Sequence, residues 1–161
     1  MTSPQTPEVI TATAAWNDKV LAAWGGEEPE SPRGIWSFKR GKKVDELELP
    51  PGLDENIHQL LAFGAWIVGR CSTRIEVWKS GTLEHYTTLS APFSRRGGTG
   101  NILTGGICSM PTYLNKVFAG RQDGSVEIWN VSTGKLLYTI LPPASDYGSV
   151  TSLQPTPALS L

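Results

Sequence analysis

Residues 113–141 read YLNKVFAGRQDGSVEIWNVSTGKLLYTIL, and they spell three short strands joined by two turns. Lys116-Val117-Phe118-Ala119-Gly120 is mostly apolar, and Gln122-Asp123-Gly124 follows as a turn sequence that tolerates positive φ. Ser125-Val126-Glu127-Ile128-Trp129 alternates with period two, Val126 and Ile128 on one face, Glu127 and Trp129 on the other. Ser132-Thr133-Gly134 turns the chain again before Leu136-Leu137-Tyr138-Thr139-Ile140. Such an antiparallel meander cannot bury both of its faces alone. It needs copies of itself.

One copy lies upstream. Trp66-Ile67-Val68-Gly69 matches Val117-Phe118-Ala119-Gly120, Arg74-Ile75-Glu76-Val77-Trp78 matches Ser125-Val126-Glu127-Ile128-Trp129, and Gly81 stands where Gly134 stands. A weaker copy runs through Val20-Leu21-Ala22-Ala23-Trp24, Gly34-Ile35-Trp36-Ser37-Phe38 and residues 43–49. The strand aromatics Phe38, Trp78 and Trp129 are 40 and 51 residues apart. A period of roughly 40 to 45 residues with Gly-punctuated strands and a closing Trp is the pattern of a WD-type propeller blade. The reading is therefore all-β, a partial WD-repeat β-propeller of about two complete blades plus flanking partial blades. Trp78, Asp123, Gly124 and Trp129 are its structural repeat positions, Asp123 bonding turn amides and the two Trp packing between blades.

Composition agrees. Hydrophobic residues at 39%, charged residues at 18%, six Trp and seventeen Gly describe a globular, turn-rich chain. A net charge of −1 gives no whole-chain attraction for nucleic acid, though it leaves room for local basic patches. Cys71 and Cys108 are too few and too far apart for a disulfide framework or a metal-ligand spacing, and read as reduced thiols. No apolar run approaches the length of a membrane span, and residues 1–10 lack the basic start and apolar core of a signal peptide.

In order, residues 1–11 read as a disordered N-terminus, 12–50 as a partial blade and 51–90 as a blade. Residues 91–102 are an inserted basic, Gly-rich loop that lengthens the second period. Residues 103–141 form the next blade, and 142–161 a loop with the first strand of another. Closing a seven-bladed ring would take on the order of 280 residues, so the sequence reads as a piece of a longer protein. Residues 25–33 form an acidic, Pro-containing hairpin loop (Glu27, Glu28, Glu30) expected to project into water.

Chemistry is sparse. His58 and His85 lie in or near strands without a Ser/His/Asp or Cys/His pattern, and a lone His in a repeat strand reads as a polar packing residue. Residues 94–100 (SRRGGTG) lack the Gly-Lys-Ser/Thr ending of a phosphate loop. No cofactor, metal or small-molecule site emerges. Two basic clusters remain. Lys39, Arg40, Lys42 and Lys43 share one tight turn, and Arg95 with Arg96 lies on the inserted loop. Either suits RNA phosphates or a protein partner, and either is also what a solvated edge looks like. No aromatic interleaves with them in sequence, so base stacking is not indicated.

The run Pro111-Thr112-Tyr113-Leu114-Asn115-Lys116, then Gly120, Asp123-Gly124-Ser125, Trp129-Asn130 and Gly134-Lys135-Leu136-Leu137-Tyr138-Thr139, resembles one family closely. It is similar to the eukaryotic WD-repeat family of the small-subunit processome, in the UtpB subcomplex (the Utp-twenty-one / WD-repeat-protein-thirty-six family). Cys71-Ser72-Thr73-Arg74-Ile75-Glu76-Val77-Trp78-Lys79 looks like its filamentous-fungal form. Trp129-Asn130 departs from the usual Trp-Asp pair. The resemblance implies part of the first of two propellers in a longer chain, and a non-catalytic nucleolar scaffold. Its implied partners are other UtpB and processome proteins, with precursor rRNA or snoRNA as a further one. A WD-type adaptor in ubiquitin ligation or trafficking is the second reading, because the fold alone does not set function. A propeller enzyme, which would need polar groups such as His58 converging on the channel, is the third.

Overall fold

The computed structural model describes residues 9–90, 107–109, 112–113, 115–121 and 124–141. These residues contain strands and turns and no helix. Three antiparallel sheets follow one another along the chain. The first holds β1 (Val9–Trp16), β2 (Lys19–Gly25), β3 (Arg33–Lys39) and β4 (Lys42–Glu46) in sequential order. The second holds β5 (Gln59–Phe63), β6 (Trp66–Arg70), β7 (Ile75–Lys79) and β8 (His85–Leu89), again in order. In the third, β11 (Lys116–Arg121), β12 (Val126–Asn130) and β13 (Lys135–Ile140) form a meander, and both β9 (Ile107–Ser109) and β10 (Thr112–Tyr113) pair with β11. This is a partial WD-repeat β-propeller, each sheet a blade.

The first sheet has a strand more than its sequence advertises. Its Val9–Trp16 strand pairs along β2 from Val9↔Gly25 to Trp16↔Lys19, so residues 9–11 belong to the sheet rather than to a disordered terminus. Thr and Ala dominate this strand (VITATAAW), and a strand that buries small side chains lacks the apolar contrast by which strands are recognised. Its inward residues Ala12, Ala14 and Trp16 pack against the core.

The chain divides into two compact units, one built of the first two sheets and one containing the third. In the first unit, Leu21, Ala23 and Ile35 meet Leu60, Ile67 and Trp78, with Leu47 and Ile57 of the connecting segment closing the cluster. Each is at most 4% exposed, so one hydrophobic layer serves both sheets. Polar contacts tie the connection down as well. Trp78 Nε1 donates to the Glu48 carbonyl, Glu48 N donates to the Leu83 carbonyl at 3.0 Å, and His85 N donates to Glu48 Oε1 at 2.9 Å.

The copies are not in the register that ungapped comparison suggests. Trp78 pairs with Ile67, whereas Trp129 pairs with Val117. Trp66 therefore corresponds to Lys116, and Trp66-Ile67-Val68-Gly69 is one residue out against Val117-Phe118-Ala119-Gly120. The cause is turn length. The β6–β7 loop is closed by the Arg70↔Ile75 pair, whereas the equivalent pair across β11–β12 is Gly120↔Val126, with Arg121 N donating to the Ser125 carbonyl at 2.9 Å inside it, so the β11–β12 turn holds one residue more. With a side-chain period of two, that difference exchanges the faces of the preceding strand.

Candidate interaction rim

The β3–β4 hairpin turns through Lys39-Arg40-Gly41-Lys42. Arg40 at φ 54° and Gly41 at φ 79° give the doubly positive central pair of a type I′ turn, which matches the twist of the flanking strands. The turn projects its cations, and their surroundings differ. Lys39 Nζ lies 3.1 Å from Asp18 Oδ2 on the β1–β2 turn, and this hydrogen bond holds the Asp18 carboxyl below its ordinary pKa. Lys43 is ion-paired with Glu46 and sits 4.3 Å from the Trp36 ring centre. The side chains of Arg40 and Lys42 are exposed and enter no ion pair or hydrogen bond among the described residues, while the Lys42 backbone pairs with Lys39. Arg95, Arg96 and Asp123 lie outside the described residues.

Aromatic rings do accompany the cations, contrary to the sequence expectation. Trp36 stacks edge-on against Trp24 with centroids 5.2 Å apart and lies 6.2 Å from Phe38, so Lys43 caps an aromatic ladder. Lys19 Nζ sits 4.9 Å from the Trp16 ring centre, and Lys79 Nζ 5.6 Å from that of Tyr86, which packs on Trp66 at 4.9 Å. These contacts run between strands or around turns, and only the register reveals them.

Antiparallel order brings the β1–β2, β3–β4, β5–β6 and β7–β8 turns to one end of the first unit. They carry Lys19, Lys39, Arg40, Lys42, Lys43 and Lys79, with the carboxylates Asp18, Glu84 and the Glu46 that pairs with Lys43 beside them. A cleft of about 320 Å³ opens at this end, lined by Trp16, Asn17, Phe63, Gly64, Ser80 and Gly81 among others. The opposite end is acidic and built. Arg33 donates to the carbonyls of Pro29 (2.8 Å), Glu28 (3.1 Å) and Leu53 (3.2 Å) and to Asn56 Oδ1 (3.1 Å), while Asn56 Nδ2 donates to the Gly26 carbonyl at 2.7 Å. The loop bearing Glu27, Glu28 and Glu30 is thus pinned to the connection bearing Asp54 and Glu55. A net charge of −1 hides this polarity.

The repeat tryptophans are buried, Trp78 at 0% and Trp129 at 5% exposure, and Gly124 takes φ 89°. Two buried carboxylates escaped the sequence reading. Glu76 Oε1 lies 2.8 Å from His85 Nε2, with the imidazole edge-on to Trp78 at 5.8 Å. Glu127 Oε1 accepts from Arg121 Nη2 at 3.0 Å and from Trp129 Nε1 at 3.2 Å. The signal was available: in both copies the acid stands two residues before the Trp, on its face of the strand. The acid is a strand-to-strand lock. His58 is exposed, and desolvation with the neighbouring Arg70 charge lowers its pKa. Cys71 is a buried thiol outside any disulfide. Among the described residues no cluster of His, Cys, Asp and Glu could hold a metal ion.

A family model described as the WDR36/Utp21 first beta-propeller matches residues 1–161. The U3 small nucleolar RNA-associated protein 21 homolog of Schizosaccharomyces pombe is 29% identical over 158 residues, covering 98% of this chain and 16% of that protein. WD repeat-containing protein 36 of Homo sapiens is 31% identical over 160 residues, covering 99% and 16%. The chain spans about a sixth of the length of these curated relatives. Among solved structures, the RRP9 WD40 repeats superpose with a TM-score of 0.66 at 14% identity, over 92% of this chain and 42% of that one. The computationally designed Ika4 protein does so with a TM-score of 0.66 at 19% identity, over 96% and 84%.

Proposed function

The chain belongs to the WDR36/Utp21 first β-propeller family, and from that premise we propose that it serves as a non-catalytic scaffold of ribosome biogenesis. Its place is the small-subunit processome in the nucleolus. There its blade rims dock other UtpB and processome proteins, and the cations Lys39, Arg40, Lys42, Lys43, Arg95 and Arg96 meet partner or precursor RNA. The observation that carries the reading is the end-to-end family match over residues 1–161. The chemistry of the interior supports it: Glu76, His85, Arg121 and Glu127 are spent on joining strands, which suits a rigid frame.

The test is to tag the full-length protein in its own cells, purify it at gentle salt, and identify what accompanies it. Processome proteins and small-subunit rRNA precursor are the expected set. A cullin-ligase or vesicle-coat set without ribosomal precursor overturns the proposal in favour of an adaptor in another pathway.

A further inference from the structure

We infer that the basic end of the first two sheets binds single-stranded RNA, a base entering the cleft between Trp16 and Phe63 and phosphates lying on Lys19, Arg40, Lys42 and Lys79. The inference deepens the proposed function and rests on it for RNA as the ligand; the preference for an unpaired strand comes from the surface. Two chemistries meet there. The four turns hold six Lys or Arg, with the carboxylates Asp18, Glu46 and Glu84 beside them, and two of those are already paired, Asp18 with Lys39 and Glu46 with Lys43. Polyanion binding needs such an excess, and Arg40 and Lys42 are exposed and uncommitted among the described residues.

The second chemistry is aromatic. Trp16 and Phe63 line the cleft, Lys19 stands beside Trp16, and beyond the Ser80 and Gly81 wall comes Lys79 against Tyr86 and Trp66. A cleft of about 320 Å³ accommodates a nucleobase, and rings set between cations are how unpaired strands are held without sequence preference. Duplex bases are not free to enter. An acidic peptide would satisfy the lysines and leave the ring-lined cleft unused. From this cleft to the β3–β4 turn is two to three strand spacings, about 10–14 Å, and the Asp18–Lys39 bridge makes the path continuous.

Fluorescence anisotropy of the full-length protein with a labelled oligouridine, over a salt series, tests this. The Arg40→Ala/Lys42→Ala variant should weaken binding and reduce the log–log salt slope by about 1.4, as expected for two lost single-strand phosphate contacts. Trp16→Ala should weaken binding about fivefold or more with the slope unchanged, and Glu27→Gln/Glu30→Gln at the opposite end should change nothing. Photocrosslinking of a 4-thiouridine oligomer to the unaltered protein should label residues 15–19 or 62–66, which tests the cleft even if Trp16→Ala does not fold. Absence of binding overturns the inference. So does equal competition by oligoglutamate together with crosslinks elsewhere, which would assign the rim to an acidic protein. Either negative result, with processome proteins still co-purifying, refutes the RNA site and leaves the scaffold standing.

Discussion

A carboxylate with 3% exposure is a costly thing to keep, and Glu127 is kept because Arg121 and the Trp129 indole both reach it. Removing one partner strands a charge without water. Glu127→Ala should lose about 3–5 kcal/mol of stability, while Arg121→Met/Glu127→Leu, which removes both charges, should recover most of it. Denaturant titration of the two variants checks this; equal losses would mean that the pair contributes nothing as a pair. His58 carries the opposite lesson at the surface. Its lowered pKa means the folded chain binds the proton less readily than the unfolded chain, which titrates near 6.5. Stability is therefore drawn off as pH falls through 6.5 towards the lowered folded value, and the penalty is complete below it. His58→Asn should flatten that part of the stability–pH curve; an unchanged slope would show that the shift does not report on folding.

At the scale of the element, turns decide more than strands do. A single residue more in the β11–β12 turn than in the β6–β7 turn places Val117 opposite Trp129 where Ile67 is opposite Trp78. The acidic β2–β3 loop is the other case. Its composition says solvent, yet Arg33 and Asn56 bind its backbone at three carbonyls and bond to each other, and Arg33 also reaches the Leu53 carbonyl, so it is an ordered hairpin lashed to the next blade's approach. Arg33→Ala should cost roughly 1–3 kcal/mol through the orphaned acceptors. It should also make Glu27, Glu28 and Glu30 sites of rapid cleavage by a glutamate-specific protease. Cleavage no faster than in the unaltered protein would show that the loop is held by something else.

Across the molecule, the first two sheets form one cooperative body because neither owns a core. Leu21 at 0% exposure belongs to β2 but packs in the layer that holds Ile67 and Trp78. Leu21→Ala should lose about 2–5 kcal/mol. Hydrogen exchange on the full-length protein should then show protection falling together in β2, β3, β6 and β7, as in a single foldon. Loss confined to β2 and β3 would mean that the two sheets open separately. The same body is polarised, cations and rings at one end and acids at the other, which sets how a charged partner approaches it.

By itself the sequence determined that this chain is built of repeated antiparallel meanders. Turn chemistry and alternation are local: Asp-Gly and Thr-Gly permit the backbone their turns require, and Val126, Ile128 and Trp129 announce a strand whatever surrounds them. It also showed the basic turn at Lys39 to Lys43 and the processome likeness carried by residues 111–139. Tertiary structure alone decided the rest. The Val9–Trp16 strand is written in Thr and Ala, which become inner-strand residues only when β2 and the core lie against them. Glu76 and Glu127 look solvated until His85, Arg121 and Trp129 arrive from other strands or register positions. Lys43 meets Trp36 because β3 and β4 pair in one register and no other. Strand formation depends on neighbours within a few residues, whereas burial and charge pairing depend on neighbours that only folding supplies.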